Sequence, residues 1–105
     1  MSTLRVLTFA GFQLDPSRGE LSRDGLQIQL EPKVLDLIIW LATHPGQLVS
    51  RDELIEHVWN GRIVSDSAIS SAINAARAAL GDSGAEQRLI KTIPRRGFRF
   101  EGNPA

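Results

Sequence analysis

The chain has 105 residues, of which 42% are hydrophobic and 23% charged, and it contains no cysteine. This size and composition are typical of one globular domain with its own core, and they exclude a disulfide framework, a cysteine-based zinc site and a thiol nucleophile. The longest apolar run, residues 37–42, is too short for a membrane helix, and from the first residues we expect no basic and apolar leader. We therefore expect a cytoplasmic location.

Charge is distributed unevenly along the chain, although its formal total is zero. Residues 1–86 carry 7 Lys or Arg against 11 Asp or Glu, whereas residues 87–105 carry 5 against 1. The cations of the second segment lie within an acid-free stretch: Arg88, Lys91, Arg95, Arg96 and Arg99. Such polarisation favours a basic face that attracts a polyanion, while a solvated charge run without a partner remains the alternative.

Short extended segments separated by turns are predicted up to residue 30. The apolar residues that mark them are Leu4, Val6, Phe9, Phe12, Leu14, Leu21, Ile28 and Leu30. Asp15-Pro16 and Asp24-Gly25 interrupt the pattern, and Asp24-Gly25 is typical of a tight hairpin turn. Residues 1–30 are therefore expected to form a small antiparallel sheet.

The period of the apolar residues changes after residue 30, and three helices are predicted across residues 31–81. Pro32 suits a first helical turn, and a wide apolar stripe runs from there to His44-Pro45-Gly46. Ser50 and Glu53 have the spacing of a capping box, in which each side chain satisfies a free backbone amide of the other. The second helix is expected to begin there and to end near Asn60-Gly61.

The third helix has the most informative pattern. Ser65 or Asp66 can cap it, Gly81 can end it, and at about 100° per residue its side chains divide into two faces. The inner face is apolar: Ala68, Ile69, Ala72, Ile73, Ala76 and Leu80. The outer face has small or hydrogen-bonding side chains, one cation and no acid: Ser67, Ser70, Ser71, Asn74, Arg77 and Ala78. These short side chains favour insertion into a DNA major groove, while a plain serine-rich solvent face remains the alternative.

Alternation of apolar and polar residues returns in residues 87–101, where a C-terminal hairpin is predicted. Its two arms flank Pro94-Arg95-Arg96, so the tip is basic, and Phe98 and Phe100 are expected to face the core. Arginines at such a tip can reach phosphates or enter a minor groove, whose negative potential suits them.

The motifs, taken in order, resemble those of the OmpR/PhoB-type winged-helix DNA-binding domain. Residues 30–38 (LEPKVLDLI) are similar to the start of that family's first helix. Residues 49–54 (VSRDEL) and 58–59 (VW) are similar to its second helix, and residues 90–100 (IKTIPRRGFRF) to its wing. The resemblance extends over residues 4–100, and the form of the wing motif is closest to the CadC/ToxR-like branch.

The resemblance implies an α+β winged helix-turn-helix with an N-terminal antiparallel sheet, three helices and a C-terminal β-hairpin wing, all in one domain over residues 1–105. The outer face of the third helix would enter the major groove. The wing residues implied to contact the minor groove or the backbone are Lys91, Thr92, Arg95, Arg96 and Arg99. The loop that contacts RNA polymerase in some family members corresponds to Asn60, Gly61, Arg62, Ile63 and Val64.

The resemblance also makes double-stranded DNA the expected partner and the chain an effector domain of a bacterial transcription regulator. Where relatives often have two basic residues, the third helix has Asn74 and Ala75. We therefore expect modest affinity for one copy, with a homodimer or tandem binding on DNA to compensate, and we expect Ala105 to be a boundary within a longer regulator. A winged-helix module for protein–protein contact, with little DNA affinity, remains the alternative.

Neither enzymatic activity, nor a metal, a cofactor or a small-molecule substrate is predicted. Residues 81–84 (GDSG) resemble the nucleophile segment of chymotrypsin-like serine proteases, but they follow a helix and are interpreted as a helix-ending turn. His44 and His57 have no partner at metal-ligand spacing. Trp40 and Trp59 lie in apolar helical patterns and are expected in the core.

Overall fold

The computed structural model describes residues 5–105 and has the predicted α+β order. The N-terminal strands are β1 (Leu7–Phe9), β2 (Phe12–Asp15), β3 (Glu20–Arg23) and β4 (Leu26–Gln27). The helices are α1 (Pro32–Ala42), α2 (Arg51–His57) and α3 (Asp66–Ala79). The C-terminal hairpin consists of β5 (Ile90–Ile93) and β6 (Gly97–Phe100).

The N-terminal strands form one antiparallel sheet in chain order. Leu14 and Leu21 pair across β2 and β3, and the alternation of side chains along these strands places both in the core. Asp24 and Gly25 have positive φ angles of 53° and 79°, as a two-residue type I′ turn requires. The predicted hairpin at this position is therefore confirmed.

The limits of the outer strands differ from the prediction. Leu4 lies outside the described residues, and the first strand begins at Leu7, with Val6 exposed. Ile28 and Leu30 lie beyond β4, in the segment that leads into α1. The Ile28 amide still donates to Leu21 O of β3 at 2.8 Å, so backbone pairing with β3 continues one residue beyond the end of β4.

Hydrogen bonds from backbone amides to serine side chains explain where α2 and α3 begin. Ser50 Oγ accepts a bond from the Glu53 amide at 3.0 Å. Ser65 Oγ accepts one from the amide three residues later at 3.1 Å, so Ser65 rather than Asp66 is the cap. The second half of the predicted capping box is absent, because the Glu53 carboxylate accepts a bond from Trp40 Nε1 at 3.1 Å instead.

The core joins the sheet, the helices and the hairpin, with α1 packed against both α3 and β6. The rings of Phe9 and Phe100 meet edge to face with centroids 5.0 Å apart, which links the N-terminal sheet to the hairpin. Trp40 and Trp59 pack against the core, as predicted, but they are only partly buried and lie at its edge. The indole of Trp40 lies near the surface, where its Nε1 donates to Glu53 and its ring stacks at 4.2 Å on the exposed His57 ring.

The longest described helix is α3, with 14 residues. None of the helices within residues 5–105 combines the length and the apolar composition that crossing a bilayer requires. Within the same residues, no group of three His, Cys, Asp or Glu side chains is arranged to hold a metal ion.

Candidate nucleic-acid interface

One side of α3 is exposed and made of small side chains, and we name it the α3 outer face. It consists of Ser67, Ala68, Ser70, Ser71, Asn74, Ala75 and Ala78. Ala68 is predicted on the inner face but is exposed, because the first turn of the helix, residues 65–68, projects beyond the core. The opposite side packs inward through Ile69 and Ile73.

The predicted position of Arg77 on the outer face is wrong. Arg77 is only 5% exposed, and its guanidinium bonds to β5, with Nε donating to Ile90 O at 3.0 Å and Nη2 to Thr92 Oγ1 at 2.7 Å. A helical projection places each Cα but not the reach of a long side chain, which here folds onto a neighbouring strand. Burial lowers the pKa of Arg77, the negative charge of Asp82 opposes that shift, and the guanidinium stays protonated at neutral pH.

Asp82 is a second buried charged residue, for which the sequence predicts only a place in a turn. Its carboxylate accepts backbone amide bonds at 2.8–3.1 Å from Ser83, Arg88, Leu89 and Ile90. Burial opposes ionisation of this carboxyl, but the amide bonds outweigh it and hold the pKa of Asp82 below its usual range. The signal in the sequence is an aspartate directly after a helix-ending glycine, where its short side chain can bond to nearby amides.

The C-terminal hairpin has the predicted basic tip, and we name residues 90–100 the wing. Pro94, Arg95 and Arg96 are exposed at its tip. The Arg96 amide donates to Ile93 O at 3.0 Å, and Arg95 has a φ of +66°, so the turn is tight. Phe98 faces the core, whereas Arg95 and Arg96 lie in the exposed turn outside the core.

The predicted wing contacts divide into two groups. Lys91, Arg95 and Arg96 are exposed. Thr92 and Arg99 are half-buried and already have partners, since the Thr92 hydroxyl accepts the bond from Arg77 and Arg99 Nε forms an ion pair with a Glu101 carboxylate oxygen. The first group is therefore the part of the wing that is free to meet a polyanion.

A cleft of about 290 Å³ lies between the start of α2 and the tip of the wing. It is lined by Ser50, Arg51, Asp52, Thr92, Ile93, Arg95, Arg96 and Gly97. Arg51 lies over the Phe98 ring, with its guanidinium carbon 5.4 Å from the centroid, and it is also 3.8 Å from the Asp66 carboxylate. Arg51 therefore joins the starts of α2 and α3 to the wing, a position that the sequence alone did not indicate.

The loop between α2 and α3 presents an apolar side chain to solvent. Asn60 and Gly61 both have positive φ angles, 55° and 75°, and they turn the chain out of α2. Arg62 is exposed and Ile63 is fully exposed, whereas Val64 packs against the core and anchors the loop. The Gly61 amide also donates to Ile55 O at 2.8 Å, so the loop is held at both ends while Ile63 stands clear of the domain.

Comparison with known proteins identifies the family. A model described as "Transcriptional regulatory protein, C terminal" matches residues 25–100, which is well over half of the chain. The chain belongs to this family. Its members include the OmpR/PhoB-type regulators that the motifs of helices and wing resemble.

Among the relatives is the transcriptional activator CadC of Escherichia coli K12, which is 39% identical over 96 residues. That alignment covers 90% of this chain but 19% of CadC, and the chain spans less than half the length of the curated relatives it matches. The similarity to CadC agrees with the branch inferred from the wing motif.

Solved structures confirm the winged-helix fold. The DNA-binding domain of Escherichia coli CadC has a TM-score of 0.80 at 34% identity and covers 95% of this chain and 94% of that one. The DNA-binding domain of Klebsiella pneumoniae RstA, solved in complex with the RstA box, has a TM-score of 0.80 at 28% identity. That match covers 92% of this chain and 97% of the RstA chain.

Proposed function

We propose that this domain binds double-stranded DNA in a sequence-specific manner as the effector domain of a bacterial transcription regulator. Its role is binding rather than catalysis, and it acts in the cytoplasm. The observation that carries the proposal is the adjacency of two suitable surfaces. The α3 outer face is made of small side chains, four of which can form hydrogen bonds. The arginine-tipped wing is bonded to α3 through Arg77, and Arg51 lies close to both, beside Asp66 and over the Phe98 ring.

The α3 outer face is proposed to lie in the major groove. Beyond its first turn this face carries no acidic residue, and its short side chains allow close approach to base edges. Ser67, Ser70, Ser71 and Asn74 offer hydrogen-bonding groups, and Ala78 offers a methyl group. Asn74 is the best placed to read a base, because an asparagine amide can both donate to and accept from an adenine edge.

The wing is proposed to contact the adjacent minor groove or phosphate backbone. Lys91, Arg95 and Arg96 are its exposed cations, and Thr92 is the wing residue whose hydroxyl accepts a bond from Arg77 of α3. Arg51 adds a cation on the other side of the cleft, but Asp52 also lines the cleft and Asp66 lies 3.8 Å from Arg51, so the exposed cations of the wing are proposed as the main phosphate contacts. Arg99 is a weaker candidate, because its ion pair with Glu101 has to be weakened before it can bind a phosphate.

The loop of residues 60–64 is proposed as a contact for RNA polymerase. A fully exposed Ile63 supports this role, because a lone apolar side chain held away from the domain can be buried against a partner. Binding of two copies on DNA, as a homodimer or in tandem, is supported by the scarcity of cations on α3. One domain offers few phosphate contacts, and a second copy on the same duplex would double them.

DNA titration at two salt concentrations tests the proposal. The duplex would be the one enriched from random oligonucleotides by the wild-type domain. We expect tight binding that weakens steeply with salt, and Arg95→Ala or Arg96→Ala should lower the slope of log affinity against log salt by about 1. Arg18→Ala is the matched control, since it removes an exposed cation paired with Glu20 in the N-terminal sheet.

The proposal is contradicted if the domain enriches no duplex from random oligonucleotides and shows no measurable DNA affinity even at low salt. The protein–protein interaction module would then be the better explanation. An unchanged salt slope in both arginine variants would instead remove the wing from the interface, while leaving DNA binding by α3 in place.

A further inference from the structure

The contact between α3 and the wing depends on a buried charged side chain. Arg77 bonds to β5 at two points, the carbonyl oxygen of Ile90 at 3.0 Å and the hydroxyl of Thr92 at 2.7 Å. The guanidinium is planar and its donors have a fixed geometry. Two bonds at different points along β5 therefore set both the distance of the strand from α3 and the direction in which the strand runs. The wing tip begins two residues after Thr92.

We propose that Arg77 is a positioning residue that holds the wing at a fixed orientation to the α3 outer face, with the Thr92 hydroxyl as its decisive partner. Asp82 supports the same arrangement, because it accepts the amide of Ile90 while Arg77 donates to the carbonyl oxygen of that residue. The start of β5 is thus fixed from both sides. The effect on DNA rests on the proposed function, since both surfaces must bind DNA for their orientation to matter there.

A direct role of Arg77 as a phosphate ligand fits the structure less well. With 5% of its surface exposed, the side chain offers little of its guanidinium to a phosphate while it keeps its two partners. To reach further out, it would have to take its charged donor away from the buried carbonyl oxygen of Ile90, and breaking such a bond is costly. Through its present bonds, Arg77 instead couples the two surfaces without touching DNA itself.

The orientation can be measured on the free protein. The chain has no cysteine, so Ser70→Cys and Arg96→Cys place one spin label on the α3 outer face and one on the wing tip. We expect a narrow distance distribution in the otherwise wild-type protein and a broader one in Thr92→Val, which keeps the side-chain shape and the Arg77 bond to Ile90. Thr92→Ser restores the hydroxyl and should restore the narrow distribution.

Thr43→Val is the matched control. Its hydroxyl is also partly buried and donates to Ile39 O at 2.7 Å, but it lies at the end of α1. This variant should leave the distance distribution unchanged, whatever its melting temperature. Equal widths in wild type, Thr92→Val and Thr43→Val would overturn the positioning role, and so would a broad distribution that Thr92→Ser fails to narrow.

The consequence for DNA is tested by a double-mutant cycle on the enriched duplex. Arg95→Ala is measured in the wild type and in Thr92→Val, and we expect its effect on affinity to shrink by at least about twofold in the second background. An identical effect in both backgrounds would overturn the coupling. If the wild type binds no DNA, the proposed function fails, and the distance measurement still decides the role of Arg77.

Discussion

Arg77 and Asp82 carry charge into the interior at the junction of α3 and the wing. Burying a charge is expensive unless it has good hydrogen-bond partners, and both residues meet that condition. Arg77 bonds to a carbonyl oxygen and a hydroxyl, and the carboxylate of Asp82 accepts four backbone amides. Removing either side chain would leave buried backbone groups without partners, which makes this junction sensitive to single substitutions.

Asp82→Asn should lower the free energy of unfolding at about pH 7 by roughly 2 to 3 kcal/mol. The oxygen of the asparagine side chain can still accept some of the four backbone amide bonds. Its NH₂ group cannot, and it would face the Leu89 and Ile90 amides, which donate to the second carboxylate oxygen in the wild type. Urea denaturation of both proteins measures the difference. Asp36→Asn changes an exposed aspartate of α1 in the same way and should stay within about 0.5 kcal/mol of wild type.

The pH dependence of that difference has a definite sign. Because the folded-state pKa of Asp82 is lowered, its stabilisation is complete above the pKa of the unfolded chain and is lost as the pH falls through the folded value. The gap between wild type and Asp82→Asn should therefore narrow on the acid side, below about pH 4. A gap that stays constant down to about pH 2 would contradict the lowered pKa.

Asn74→Ala should change which DNA site is preferred rather than weaken all sites equally. Asn74 is exposed at the middle of the α3 outer face, where its amide can pair with one base edge. We expect a loss of about 1–3 kcal/mol of discrimination at a single position of the site, and Ser71→Ala should act at a different position. Repeating the oligonucleotide selection with each variant measures this, and identical preferences would remove α3 from base recognition.

At the scale of elements, the features that the sequence predicts best are those set by residues close together in the chain, such as helix starts and tight turns. Ser50 and Ser65 begin their helices through bonds to amides three residues later, and Asp24-Gly25 turns a hairpin, all within a few residues. The ends of β1 and β4 depend on a neighbouring strand, and their prediction was less accurate. Arg77 was misplaced for the same reason, because its partner lies on β5, thirteen residues away in sequence.

The wing is joined to the helices by a close backbone approach at Gly97. Val49 and Phe98 exchange two backbone bonds of 2.8 Å, and Gly97 lies beside them with a φ of +146°. A Cβ at Gly97 would overlap the Val49 carbonyl oxygen and lie 2.9 Å from Ser50 Cα. The backbone of either the wing or the start of α2 would have to move.

Gly97→Ala should therefore destabilise the domain by about 2 to 4 kcal/mol and broaden the wing's orientation. Denaturation in urea measures the loss of stability, and the width of the distance distribution between spin labels at positions 70 and 96 measures the wing's orientation. Gly84→Ala is the control, because a Cβ there meets its nearest atom at 3.8 Å, an ordinary contact. Equal stability of the two alanine variants would contradict the close approach at Gly97.

At the scale of the whole molecule, one core joins the N-terminal sheet, the three helices and the wing. Phe9 from the N-terminal sheet and Phe100 from the wing pack edge to face, and α1 packs against α3 and β6. The backbone of Thr8 also exchanges bonds of 3.2 and 2.9 Å with Ala105, so the end of the chain adds to the edge of β1. With these links, the sheet, the helices and the wing are predicted to unfold together, as the single domain expected from the sequence.

Phe9→Leu tests this cooperativity, because it weakens the link between sheet and wing without removing the apolar side chain. We expect a loss of about 1 to 2 kcal/mol and a single transition, at the same urea concentration by far-ultraviolet circular dichroism and by tryptophan fluorescence. The fluorescence reports on Trp40 and Trp59 near the helices, while the dichroism also senses the sheet. Leu26→Ala, at a side chain that is 74% exposed, should leave both transitions in place. If the dichroism of Phe9→Leu changes before the fluorescence does, the sheet unfolds separately and residues 5–105 contain more than one cooperative unit.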